Sequence, residues 1–402
     1  MRYPVALSVA LYTLLVVGCS ERTVSAPYEP ITLEPPPQNS DGAGNAYMEY
    51  IEQSDLALKT TGLAFDAKDT RANREVLLSD LGPLMERLAK STGQPCTFAH
   101  EPSLPFEGGA HHEGWILLGR ALAWQIEESV AKADWDEAVR WTVVATTFGT
   151  DLGGGDFSDA SLGYGIIDDA RRAIAKHLPL IPQEALTTLA TGLDLAVARW
   201  PSPAQTVSNE SQNMLLAVKA LQDAHENGEL SAFADSLYGR SRSAVTGLAD
   251  LDEIKRSEFF RALIQERERV ADQLLVSAEV HGAKRSDVVF TLDGRARVLA
   301  DQFFTTGDPW LSMRDRTQAR THLFATTARI YSHIAEHGES PKDLSGFVAA
   351  ASIDPYTGRS LNYEHQGRGF LLYSCGENGV HDQGETNADR TSPDMYLKDA
   401  VL

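Results

Sequence analysis

Positive charge is what this sequence has least of: 36 Lys and Arg stand against 56 Asp and Glu, a formal net charge of −20. That balance argues against nucleic acid and against anionic membrane surfaces as primary partners, because both need a basic footprint. The carboxylate excess suits solubility and divalent-cation contact, most of it as solvated helix faces. Sequence motifs are equally sparse. There is no HExxH, no G-x-S-x-G and no Cys–His arrangement, and Gly153-Gly154-Gly155-Asp156 is followed by no Gly-Lys-Ser/Thr, so it reads as a loop and not a phosphate cradle. No fixed repeat period runs through the chain, which leaves a regular solenoid undemonstrated. Cysteine is scarce: beyond Cys19 only Cys96 and Cys375 occur. These two either pair in an oxidising compartment or lie as two separately buried thiols.

What is present is a normal globular composition, 43% hydrophobic and 23% charged, over 402 residues. That length exceeds one ordinary core, so two domains or one elongated helical array are the natural expectations. Arg2 and the apolar run Pro4–Val17 have the form of a signal peptide and are too short to span a bilayer stably. The ending Val16-Val17-Gly18-Cys19 resembles the bacterial lipobox. The resemblance implies cleavage before Cys19, lipidation of that sulfur with palmitate, and a cell-envelope lipoprotein. Ser20, where an Asp would mark inner-membrane retention, implies the outer membrane. Residues 19–42 read as anchor and tether: Pro27, Pro30, Pro35, Pro36 and Pro37 stiffen a stretch with too little apolar surface to fold.

From Asn45 to His337 the periodicity predicts helices. Tyr47, Ile51, Leu56 and Leu58 start one apolar face; Asp69 opens a stripe of Leu77, Leu78, Leu81, Leu84 and Leu88. A proline-bearing loop, Gly93–Gly109, precedes a helical hairpin, Trp115–Val130 and Trp135–Phe148, turning at Lys132-Ala133-Asp134 with Asp134 as N-cap. Ser158–His177 pairs with Pro182–Arg199, and Ala204–His225 with Ile254–His281. Leu292–Phe304 and Thr317–His337 complete the set, the last ending on a Gly338 cap.

Beyond that helix, Leu361 and Tyr363 alternate into a turn at Gln366–Gly369 and a second strand, Phe370–Ser374, a β-hairpin. The order helix, HG-x-x-P-x-x-L, DPYTG, hairpin, YS-x-G-x-N-G and T-N-A-D resembles the soluble domain of the major pseudopilin of type II secretion. It covers about 75 residues, Ala319 to Asp394. The whole chain resembles large envelope proteins of planctomycete-type bacteria that carry such a unit behind a helical region. The pseudopilin resemblance implies a calcium site with backbone oxygens from Ser374 and Cys375 and side chains from Asp382, Asn387 and Asp389. Glu377, Asn378 and Glu385 add hard oxygens on a glycine-broken loop, the chemistry calcium takes. Asn387 in place of an aspartate and Arg390 in place of an apolar residue depart from the family, and a solvated acidic turn is the alternative. A filament role is not implied, because helical sequence separates the unit from the N-terminus.

His100, His111, His112 and Glu113 flank the proline loop and offer zinc ligands, but adjacent histidines on a helix point different ways, and a polar helix start is the simpler expectation. Asp168-Asp169 and Glu127-Glu128 read as wet helix faces and not as paired catalytic acids. The expected fold class is α+β. It comprises a helical body of irregular hairpins (43–315) and a small C-terminal helix-plus-hairpin unit (316–402), behind the signal peptide (1–18) and tether. The expected function is a non-enzymatic envelope lipoprotein presenting a binding or scaffold surface to a protein partner. An enzyme with its site near residues 93–115, or an accessory of a secretion or pilus-like machine, is the alternative.

Overall fold

The computed structural model describes residues 45–98, 109–237, 239–280, 285, 287–304, 306–347, 350–381 and 395–396. Cys19, the tether, His100 and the expected calcium ligands Asp382, Asn387 and Asp389 lie outside them. Among the described residues there are twelve α-helices: α1 (Ala46–Thr60), α2 (Arg71–Ser91), α3 (Ala110–Ala131), α4 (Trp135–Leu152), α5 (Phe157–Ile174), α6 (Gln183–Ala198), α7 (Pro203–Glu226), α8 (Leu230–Asp235), α9 (Gly239–Thr246), α10 (Glu253–Glu279), α11 (Gly294–Phe303) and α12 (Asp308–His337). A three-stranded antiparallel sheet follows, β1 (Asn362–Gln366), β2 (Gly369–Ser374) and β3 (Met395–Tyr396), in the order β1-β2-β3. The class is α+β, mostly helical.

Capping residues set the helix starts. Asn45, Thr70, Asp134, Asp156, Ser202 and Asp252 each accept a backbone N–H of the turn they open, a contribution of about 1 kcal/mol apiece. Asp134 caps α4 as expected; at α2 the cap is Thr70, one residue after Asp69. On α1 the buried side is Tyr47, Tyr50, Gln53, Ser54 and Ala57, while Ile51, Leu56 and Leu58 are only partly covered. That face buries the polar Gln53 and Ser54 with the two tyrosines, which is why apolar periodicity alone misplaced it.

Two large apolar cores share two helices. The first gathers α1–α6, and the second gathers α7–α11. Helix α5 gives Ile166, Ala170 and Ile174 to the first and Phe157, Tyr164 and Ile167 to the second. Helix α12, 30 residues and about 45 Å long, does the same along its length. Trp310 and Leu311 pack in the second core, Phe324, Ala325 and Ala328 in the first, and Leu323 and Ile330 under the sheet. The expected domain boundary at 315/316 therefore falls inside α12.

The hairpin register pairs Gln366 with Gly369 across Gly367-Arg368, and Gly367 has φ 70°, the left-handed value its turn position requires. Asp354, fully buried, ties the sheet to the loop before it: its carboxylate accepts from Tyr356 N (3.0 Å), Ser374 Oγ (2.9 Å) and Cys375 N (3.0 Å). Glu377 accepts from Arg316 (2.9 Å) and Ser312 (2.8 Å) of α12. Cys96 and Cys375 are separate thiols, not a disulfide.

Candidate metal centre

Helices α3 and α5 run parallel and in register: His112 meets Asp159, and seven residues on, Gly119 lies so close to Ile166 that a Cβ would stand 2.6 Å from its side chain. Helix α1 crosses α3 as tightly. A Cβ on Gly114 would meet the Ser54 backbone oxygen at 2.3 Å, so only glycine permits this approach. The contact is fixed by Ser54 Oγ donating to His111 O (2.6 Å) and Trp115 Nε1 donating to Tyr50 O (2.9 Å). The His111 ring packs on Trp115, centroids 4.3 Å apart. The first turn of α3 is thus pinned, with both imidazoles held over the start of α5.

At that start, Asp156 caps α5 through Ser158 N (2.8 Å) and Asp159 N (2.9 Å), and its other oxygen accepts from Asn213 Nδ2 of α7 (2.9 Å). Asp159 sits in the first turn of the helix, 1% exposed, where the amide dipoles favour a carboxylate. Gly155 makes the room, since a Cβ there would lie 2.2 Å from Asp159 Oδ2. Asp159 Oδ2 accepts from Tyr47 OH (2.6 Å), and Oδ1 lies 2.7 Å from His112 Nε2 and 3.5 Å from His111 Nε2. The three ligand atoms lie within 4.8 Å of one another. His111 is buried, while the His112 side chain is 22% exposed and gives the cluster its outlet. Adjacent histidines do converge here. The imidazoles reach back from the helix to one carboxylate oxygen between them, which helix geometry alone did not anticipate.

The electrostatics follow from burial. Burial pushes Asp159 up, but hydrogen bonds from His111, His112 and Tyr47 outweigh it and bring it down to about 2. Burial pulls His112 down, and the hydrogen bond and charge of Asp159 overcome that and raise it. Burial and then the Asp159 charge hold the Tyr47 phenol protonated far above its usual range. Behind the centre, burial and then the charge of Asp159 raise Asp156 to about 6. Burial, then Asp156, raise Glu210 of α7 to about 8, although it accepts Phe157 N at 3.2 Å. A second tyrosine of α1 repeats the device one turn on: Tyr50 OH donates to Asp151 Oδ2 (2.7 Å), whose other oxygen takes Arg199 Nη2 (3.0 Å).

Two imidazole nitrogens and a carboxylate oxygen are the donors of zinc-class ions, and three protein ligands leave a position for water. Tetrahedral ligands about 2.0–2.1 Å from zinc stand about 3.3 Å apart; the two Nε2–Oδ1 separations bracket that value. Beyond the cluster a groove of about 430 Å³ begins one helical turn along both helices, floored by Ile116, Gly119, Leu162 and Ile166, with Gly165 open on its wall. Of the charges that line it, Glu127 pairs with Arg74 and Asp169 with Arg172, while Arg120 donates to Ala67 O (2.9 Å).

Of the residues singled out in sequence, His111 and His112 are brought together, Glu113 is exposed, and His100 lies outside the described residues. The other expected acid pairs are tied to bases: Asp168 to Arg320 (2.6 Å) and Glu128 to Lys132 (3.0 Å). Sequence reasoning missed Tyr47, Asp156, Asp159 and Glu210. The available signal was Asp156-Phe157-Ser158-Asp159 behind three glycines, a cap followed by a second acid at the same helix start. Comparison of the chain with protein-family models, with curated proteins and with solved structures returned no match.

Proposed function

We propose that this chain binds a divalent transition metal of the zinc class through His111, His112 and Asp159, keeping one coordination position for water or a substrate. The observation that carries the reading is the convergence of three ligand atoms within 4.8 Å at a buried point with one partly exposed member. It favours the enzyme-like alternative, a site bordering the 93–115 loop, over a surface that only scaffolds. The other expectations join it as proposals. Lipid on Cys19 and the 19–42 tether hold the body at the envelope, on the outer membrane, within reach of a protein partner. The helix-plus-hairpin unit is of pseudopilin type, with calcium at Ser374, Cys375, Asp382, Asn387 and Asp389.

The hydrogen bond and charge of Asp159 favour the protonated form of His112, and a ligand nitrogen must be free of its proton, so metal binding weakens as pH falls. Calorimetric titration of Zn²⁺ into the protein at pH 7.5 is expected to give one saturable site. His112→Ala and Asp159→Asn should each weaken it by about 100-fold or more, with enthalpies that depend on buffer ionisation. A zinc isotherm unchanged by either substitution would remove the centre.

A further inference from the structure

We infer that a second site, between the end of α7 and the start of α10, takes a small zwitterion of the α-amino-acid type. It shares no residue with the metal centre and does not depend on it. The cavity measures about 400 Å³, and its lining includes His225 and Glu226 from α7 and Glu253, Arg256, Ser257 and Phe260 from α10. That is the low end for small-molecule sites, which suits one compact ligand.

Charges around the cavity are left uncommitted. Arg256 makes no ion pair among the described residues, although two glutamates line the same cavity. Its Nη1 instead donates to His225 Nε2 at 2.7 Å. That bond requires a neutral imidazole, and burial, then the Arg256 charge, lower the His225 pKa accordingly. Guanidinium–imidazole is a weak use of a residue that binds carboxylates bidentately. It leaves the rest of the fork, Nη2 and Nε, for a ligand. Glu253 likewise makes no ion pair among the described residues, and Glu226 accepts only the neutral Gln222 amide (2.9 Å). Ser257 Oγ is buried and has no hydrogen-bond partner among the described residues, a costly state that a ligand oxygen would relieve. The N–H groups of the first turn of α10 lie at the same end, where an anion is favoured. The Phe260 ring, 3% exposed, supplies the apolar backing.

A simple anion would meet Arg256 and Ser257 but also two glutamates, and a simple cation the reverse. A ligand with carboxylate and ammonium on neighbouring atoms satisfies both signs at once. Its carboxylate would lie on Arg256 and Ser257, and its ammonium on Glu226 and Glu253.

The test is calorimetric titration of the protein with each of the twenty common L-amino acids, and with acetate and methylammonium as the two half-ligands. The expected result is one-to-one saturable binding of at least one amino acid, with both half-ligands about tenfold or more weaker. Arg256→Gln should cost about tenfold or more in that affinity, and Glu253→Gln, at an exposed position, severalfold, both with zinc binding unchanged. The inference is overturned if no amino acid binds, if acetate binds as tightly as the best amino acid, or if neither substitution alters the affinity.

Discussion

Replacing Glu210 by Gln should stabilise the protein at alkaline pH while leaving it nearly unchanged in acid. Glu210 of α7 lies behind the start of α5, and burial followed by the charges of Asp156 and Asp159 raises its carboxyl to about 8. In an unfolded chain the same group titrates near about 4.3. Because the folded value is the higher one, the group's stabilising contribution is complete below about pH 4.3 and is lost as pH rises through about 8. At 1.36 kcal/mol per pH unit, the loss is on the order of several kcal/mol by pH 9. Gln keeps a carbonyl to accept Phe157 N, now 3.2 Å from the carboxylate, and has no charge to bury. Urea denaturation of parent and variant from pH 4 to 9.5 should give curves that coincide at the acid end and separate steadily above about pH 5, with the variant the more stable. Parallel curves, or a variant weaker at pH 9, would show that Glu210 is not held protonated and that the acid cluster behind the candidate metal centre is wrongly described.

Asp354→Ala strips three donors of their acceptor at a fully buried point; a loss of about 3–5 kcal/mol is expected, seen first as lost amide-exchange protection in β2. Gly307→Ala and Gly165→Ala should have opposite signs. Gly307 has φ 71° and would set a Cβ 2.4 Å from Leu274, costing about 2 kcal/mol or more, whereas Gly165 is helical with nothing within 4 Å, so alanine there should gain up to about 1 kcal/mol; thermal melts decide both. Labelled palmitate should enter the parent and not Cys19→Ser, and unlabelled parent protein would remove the anchor. Calcium should raise the melting temperature of the parent but not of Asp389→Ala, and an unchanged parent would remove that loop.

The helical body was legible because amphipathic stripes and caps are local. The Leu77–Leu88 stripe, the Asp134 cap and the Gly338 terminus all stand where the sequence placed them. The hairpin was legible for the same reason, through its glycine-bearing turn. The centre was only half legible. His111 and His112 stood out as neighbours, but Asp159 is 47 residues beyond His112, and only the parallel docking of α3 and α5 brings it there. Tyr47 and Ser54 read as parts of an ordinary helix until their partners on α5 and α3 are in place. Glycines carried the missing information: Gly114 and Gly119 within α3 and Gly155 before α5 each mark a close approach that a Cβ would crowd, yet in sequence a glycine says only that something is near.

The most direct measurement of the central claim is X-ray absorption spectroscopy at the zinc edge of the protein loaded with one equivalent of metal. The account predicts a shell of nitrogen and oxygen at about 2.0–2.1 Å, with outer-shell scattering from two imidazoles that falls to one in His112→Ala. A spectrum without imidazole scattering, or one that His112→Ala leaves unchanged, would contradict it.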